Sequence, residues 1–238
     1  MSTMKGVADE IVDIEWEMFL AVNDGLDPAT CQEEKGTFEA MRKAQYDAWP
    51  EDVLSFLLED YKKAREEGRN LLAEKYIHMM QSADPEQYAV AIESIPAPSE
   101  EQRRLAGAIS EQILAETQAL HEEFPYLAMT SRPLRASQDT PYVTSVETYQ
   151  IGEMLTYSEK TLRALYDYVM ANAKAGNSTA RRILENTVRY YGFINLIEAN
   201  AAIRERVELQ NIRYSPESDC DGCDFDGCGG CDGCDGCE

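Results

Sequence analysis

Six cysteines stand among the last nineteen residues of the chain, CDGCDFDGCGGCDGCDGCE, at Cys220, Cys223, Cys228, Cys231, Cys234 and Cys237. A thiolate is a soft, charged ligand, and four of them suit tetrahedral zinc or the irons of an iron–sulfur cluster. A C-x-x-C turn lets two sulfurs converge while backbone N–H groups point at them. The Asp-Gly and Gly-Gly pairs between these cysteines supply the tight turns that convergence requires.

Three cysteines in C-x-x-C-x-x-C with a fourth from elsewhere resemble the bacterial ferredoxin pattern for a [4Fe–4S] cluster, with Cys220 or Cys223 as the distant ligand. The usual x-x-x-C-P ending is missing. Six thiolates could instead hold two zinc ions through shared sulfurs, or a Cu(I) cluster, and Phe225 is the one large apolar residue near enough in sequence to shield such a centre. Two other readings compete: an acidic low-complexity tail with free thiols, and small disulfide rings. Clustered cysteines at this spacing in a reducing compartment favour metal ligation over both, and iron–sulfur over zinc. The seventh cysteine, Cys31, stands apart; no neighbouring base accompanies it, so a small buried thiol is the preferred reading over a nucleophile.

The rest of the chain carries a second set of chemical groups. Glu15, Glu17, Glu74, Glu147, Tyr149, Glu153 and Tyr157 are its acidic and aromatic candidates. Tyr149, Glu153 and Tyr157 follow at four-residue steps and make one stripe on a helix. A buried hydrogen-bond network or a solvated face accounts for such a stripe more readily than a catalytic site does, because carboxylates in helical proteins mostly face water. Arg69 with Glu74 and Lys75, and Arg132 in a loop, are candidates for a small-anion site. A di-iron centre of the ferritin type needs two Glu-x-x-His pairs, and neither His78 nor His121 completes one. Walker, dinucleotide, G-x-S-x-G and H-E-x-x-H motifs are all missing from the sequence.

These groups must be positioned by helices. Ile11, Ile14, Met18 and Val22 recur at three- and four-residue steps, so a helix is expected up to Asn23-Asp24-Gly25. A second is expected from about Thr37 to Trp49, with Phe38, Met41 and Ala44/Gln45 facing inward. A third runs from Glu51 to Gly68 with Val53, Leu54, Leu57, Leu58 and Tyr61 inward, and a fourth is capped by Asn70. Asp84-Pro85 opens a short fifth. Ser99-Glu100-Glu101-Gln102 has the capping-box form and opens a helix reaching Phe124-Pro125, and Thr144-Ser145-Val146-Glu147 has the form of a second box. Between them YLAMTSRPLRASQDTPYV reads as a long ordered loop, the best place for a site-forming segment. One helix, or two abutting at Ser158, then runs to Gly176, and two more span about Thr179 to Tyr191 and Asn195 to Ile212. No stretch alternates as a strand does. The expected architecture is all-α, an irregular multi-helix bundle over residues 1–214 with a cysteine-rich metal-binding tail over 215–238.

The segments IEWEMF (14–19), CQEEKGTFEAMRKAQYDAW (31–49), GRNLLAEKYIHMM (68–80), SRPLRASQDTPYVTSVETYQIGEMLTYSEKTL (131–162) and NTVRYYGF (186–193) resemble those of an uncharacterised prokaryotic helical family, domain-of-unknown-function family 4125, over residues of about 8–200. The resemblance implies an intact helical domain and an anaerobic setting, and leaves the cysteine tail outside it. Where the family's third block ends EKYARMM this chain has His78, and Ile151 stands where the family has Arg, so His78 is a poor candidate for a shared site.

Charge narrows the partners. The 238 residues carry a formal charge of −22, and eight of the acidic groups lie within 217–238 with no basic residue among them. A field of this sign repels nucleic acid and anionic lipid, so neither is expected as a partner, and cations are favoured. The opening MSTMKGVADEIVDIEW has no signal-peptide apolar core, which places the protein in the cytoplasm as an expectation. The sequence thus points to a metal-binding accessory or electron-transfer protein, iron–sulfur before zinc or Cu(I), with a redox or protein partner. Two alternatives stand beside it: a helical enzyme with its site at the 125–145 loop and Tyr149, Glu153 and Tyr157, with Glu74 and Arg132 as further candidates and the tail regulatory, and an acidic protein-interaction scaffold.

Overall fold

Stripes of apolar residues at helical spacing leave the chain one way to bury them, helix against helix. The computed structural model describes residues 6–22 and 34–213. Within them lie eleven α-helices and no strand: α1 (Val7–Leu20), α2 (Lys35–Tyr46), α3 (Glu51–Glu66), α4 (Leu71–Ala83), α5 (Pro85–Ala91), α6 (Glu100–Glu123), α7 (Pro125–Ala128), α8 (Val146–Met154), α9 (Glu159–Lys174), α10 (Thr179–Tyr190) and α11 (Leu196–Arg213). The longest, α6, packs against α7, α8, α9 and α10; α1 packs on α2, α3 and α4, while α4 lies along α8 and α2 along α10. Ile11, Leu57, Leu105, Ile109, Leu162 and Leu165 are fully buried and form the apolar centre. Residues 215–238 lie outside the described residues, as do all seven cysteines.

Helix ends follow local chemistry. Asn70 accepts from the backbone N–H groups of Leu72 and Ala73 at 3.0 and 3.1 Å, and Ser99 and Gln102 form the expected reciprocal box. Gly68 and Gly176, at φ of 70° and 76°, end α3 and α9 in the left-handed region open to glycine. Ser158 caps α9, so the long segment after residue 146 is two helices.

Three expectations need correction. Ser145, not Thr144, caps α8, and Glu147 does not close a box: its carboxylate accepts from the N–H of Ala136 at 2.9 Å, tying down the preceding loop. The loop itself begins later than expected, because Pro125 starts the short helix α7, whose first free N–H groups are taken by the Asn200 side chain of α11. On α2, Met41 is 56% exposed and Arg42 is 6% exposed, so the inward face is rotated from the expected one.

Helices α4 and α8 approach closely at Gly152. A Cβ built on Gly152 would stand 2.8 Å from Cγ of Met79 and 3.1 Å from the carbonyl oxygen of Lys75. Alanine would gain about 1 kcal/mol of helix propensity, while overpacking costs roughly 1–3 kcal/mol. Gly152→Ala should therefore be nearly neutral to mildly destabilising, and Gly152→Val should lower stability by about 2 kcal/mol or more in denaturant titration, since its extra methyls meet backbone that cannot move aside.

Candidate functional site

The candidate stripe Tyr149, Glu153 and Tyr157 leads to the interior. Glu153 on α8 is buried, and so is Glu15 on α1. Between them lies the guanidinium of Arg42. Its Nε and Nη2 donate to Glu15 at 2.9 and 2.6 Å, and its Nη1 and Nη2 donate to Glu153 at 3.0 and 2.9 Å. It also donates to Gln45 at 3.3 Å and to the Tyr46 hydroxyl. Six acceptors for five N–H groups mean that one hydrogen is shared.

The carboxylates are saturated from other directions. Tyr46 of α2 and Tyr61 of α3 each donate to Glu15 Oε1 at 2.6 Å. Tyr157, in the turn after α8, donates to Glu153 Oε1 at 2.7 Å, Gln45 at 3.1 Å, and Lys75 of α4 donates to Oε2 at 2.5 Å. Tyr149 takes no part through its hydroxyl; its ring lies 3.4 Å from Lys75 Nζ. Two carboxylates, one guanidinium and one ammonium make the cluster formally neutral, which is the condition for burying four charges.

Burial alone would raise the Glu153 carboxyl, but Arg42 and Lys75 outweigh it and hold the group well below the ordinary carboxylate range. Burial likewise works against the charge of Arg42, and Glu15 and Glu153 overcome it. Tyr46, Tyr61 and Tyr157 are pushed well above the usual phenol value, first by burial and then by the carboxylates they face. Each group is thus locked in one protonation state at neutral pH. A cavity of about 20 Å³ beside Arg42, Lys75 and Glu153 has room for a water and nothing larger. Glu153 and Tyr157 of the stripe belong to a buried hydrogen-bond network, one of the two accounts that the sequence favoured over a catalytic site, and neither is a vacant acid or base.

The remaining candidates lie elsewhere. Glu74 and Lys75 are neighbours on α4 that serve different partners: Glu74 takes a two-bonded fork from Arg69 at 2.8 and 2.6 Å, while Lys75 is committed to Glu153. The proposed Arg69, Glu74 and Lys75 set therefore does not converge as an anion site. His78 is buried on the same helix, and burial pushes its imidazole down. Glu17 is largely exposed. Arg132 stands on the loop over Tyr149, its guanidinium 5.4 Å from the ring. Cys31, Cys220, Cys223, Cys228, Cys231, Cys234 and Cys237 lie outside the described residues, and among the described ones no three His, Cys, Asp or Glu side chains group to hold a metal.

The model of a family described as "Protein of unknown function (DUF4125)" matches residues 5–201. The chain belongs to this family. The matched region contains all members of the buried network and ends before the cysteine tail, as the resemblance implies. No curated protein and no solved structure matches the chain. No helix among the described residues is long and apolar enough to cross a membrane.

Sequence reasoning missed Arg42, the hub of the site. Phe38, Arg42 and Tyr46 recur at four-residue steps, and that spacing was the available signal. Removing the hub should be severe. Arg42→Met leaves the buried Glu15 without a cation and Glu153 with Lys75 alone; breaking a buried pair in this way usually costs about 3–5 kcal/mol, so thermal unfolding should fall well below that of the native chain. Because Glu153 titrates lower in the folded than in the unfolded chain, its contribution is complete above the ordinary value of 4.5 and fades as pH falls below it. The stability gap between native protein and Glu153→Gln should accordingly narrow from about pH 7 to about pH 3.

Proposed function

We propose that the protein is a metal-binding accessory or electron-transfer protein, with its six C-terminal cysteines as ligands and the helical family domain as their carrier. The observation that carries this reading is the spacing Cys220-x2-Cys223-x4-Cys228-x2-Cys231-x2-Cys234-x2-Cys237, with glycine in every gap. Thiolates so spaced suit an iron–sulfur cluster first, and zinc or Cu(I) second. The described body is consistent with a carrier role, since its buried acids and bases are spent on one another.

A tail with eight acidic groups and little apolar surface gains order chiefly from ligand bonds. Protons compete for each thiolate, and the neighbouring aspartates favour the protonated thiol when metal is absent. Binding should weaken steeply as pH falls.

Protein prepared without oxygen or chelators should contain stoichiometric iron, zinc or copper, and deletion of residues 215–238 should remove it while leaving helical circular dichroism unchanged. Metal content should drop between about pH 7.5 and about pH 5.5. Native preparations free of all three metals, or a truncated chain that retains them, would overturn the reading.

A further inference from the structure

Arg132, in the loop after α7, is one of the described cations that pair with no described carboxylate. Arg132 donates through Nη1 to the Thr144 carbonyl and hydroxyl oxygens at 3.1 and 3.2 Å, and its plane is steadied over Tyr149. No described carboxylate lies within ion-pair distance of it. Both hydrogen bonds use Nη1, so the Nε and Nη2 edge, which grips a carboxylate through two parallel bonds, is not engaged by any described residue.

Arg132 lines a cleft of about 510 Å³ between the C-terminal half of α6, α7 and the loop that follows. Gln118, His121, Ser131 and Gln138 add polar groups to its wall. Arg135 lines it too, but gives both Nη groups to Glu111 at 2.6 and 3.0 Å, and Glu147 stands 4.0 Å away. The cleft therefore carries one uncompensated positive charge. Burial pushes His121 below its ordinary value, so it adds a neutral donor or acceptor there.

His121, Ala128 and Ser131 also line a second cavity of about 190 Å³, whose other walls include Leu120, Phe124, Leu127, Ile183 and Leu184. A polar cleft with one free cation thus adjoins an apolar slot. The loop that carries Ser131 and Arg132 is pinned: Asp139 accepts from Ser82 and Thr148 hydroxyls at 2.5 Å and from the Ser145 N–H at 2.5 Å, and the Pro133 and Leu134 carbonyls accept from Val146 and Glu147 N–H groups. Preformed clefts of this size with few placed polar groups are the usual form of small-molecule sites.

We propose that this pair of cavities binds an organic monocarboxylate, its head on Arg132 and its aliphatic or aromatic body in the slot between α6, α7 and α10. One free guanidinium matches one negative charge, whereas a dianion such as phosphate would meet Glu111 and Glu147 without a second free cation. The slot removes the ligand's apolar surface from water, which an inorganic anion cannot exploit. The lining residues all lie within the region matched to the family.

Titration of the full-length protein with octanoate, followed by calorimetry, is the test, with acetate, 1-octanol and inorganic phosphate as comparisons. Octanoate should bind one to one, with acetate, octanol and phosphate each weaker by about tenfold or more. Arg132→Gln should weaken octanoate by about tenfold or more with unchanged helicity, and Arg132→Lys, which keeps the charge without the fork, should fall between. Leu184→Trp, which fills the slot, should weaken octanoate while leaving acetate unaffected, and it remains informative should the Arg132 variants unfold. Absence of saturable octanoate binding to the native protein would overturn the proposal. So would octanoate affinity unmoved by Arg132→Gln, or phosphate binding as tightly as octanoate.

Discussion

Arg42 is the constraint on which the arrangement of the helices depends. Its guanidinium joins Glu15, 27 residues earlier, to Glu153, 111 residues later, through direct hydrogen bonds. A buried guanidinium has one arrangement that satisfies its five N–H groups, and two buried carboxylates have few that satisfy their lone pairs. Apolar side chains tolerate sliding and repacking, but this set does not. The network therefore fixes the rotation of α1, α2, α3, α4 and α8 about their axes at one point, and the apolar core fills the space around it. The clearest effect is on α2, whose buried residues are Arg42, Ala44 and Tyr46. A helix with so little apolar inward surface gains much of its place in the fold from paired charges and from α10 at its side.

Such a cluster is not a store of stability in itself. Taking four charges out of water costs several kcal/mol per ion, and the mutual attraction in the interior roughly offsets it. What the cluster supplies is discrimination between arrangements, because a packing that separates Arg42 from Glu15 leaves a buried carboxylate without a cation, and one that separates it from Glu153 leaves that carboxylate with Lys75 alone. Tyr46, Tyr61 and Tyr157 strengthen that discrimination. Each brings a ring to the core and a hydroxyl to a carboxylate, so each element they belong to is judged by packing and by hydrogen bonding together.

Much of the fold is legible in the sequence because most helices carry a three- and four-residue apolar repeat and begin at a residue able to cap them. Asn70, Ser99 and Ser158 do so at or beside the expected boundaries. The rotation of α2 was not legible. An arginine counts as outward unless its partners are known, and Glu15 and Glu153 lie too far away in sequence to be recognised as partners. The four-residue steps of Tyr149, Glu153 and Tyr157 place them along one stripe, yet spacing alone does not tell a satisfied interior from a vacant site. Lys75 and Glu74 illustrate the same gap: adjacent in sequence, they point to different partners because successive helical residues are turned by about 100°. Glu147 was read as a helix cap and instead holds Ala136, since Ser145 already caps α8 by itself.

The saturation of the interior decides where chemistry can reside. A general acid or base must exchange a proton with a ligand, and a binding group must have a hydrogen-bonding site to offer. Glu15, Arg42, Lys75 and Glu153 are committed to one another by hydrogen bonds, and the adjoining cavity admits a water alone. Among the described residues, groups with a hydrogen-bonding edge to offer a ligand are found on segments the core holds out toward solvent. The loop after α7 is one such segment: Asp139 and Glu147 fix its backbone, while Arg132 keeps one edge unengaged. The rigid network serves that loop directly, because Tyr149 places one face of its ring near Lys75 and the ring also lies within reach of Arg132. Through this shared ring the position of the surface guanidinium is referred back to the buried charges. A core that cannot slide thereby gives a surface cation a fixed address, and the cleft needs no rearrangement to present it.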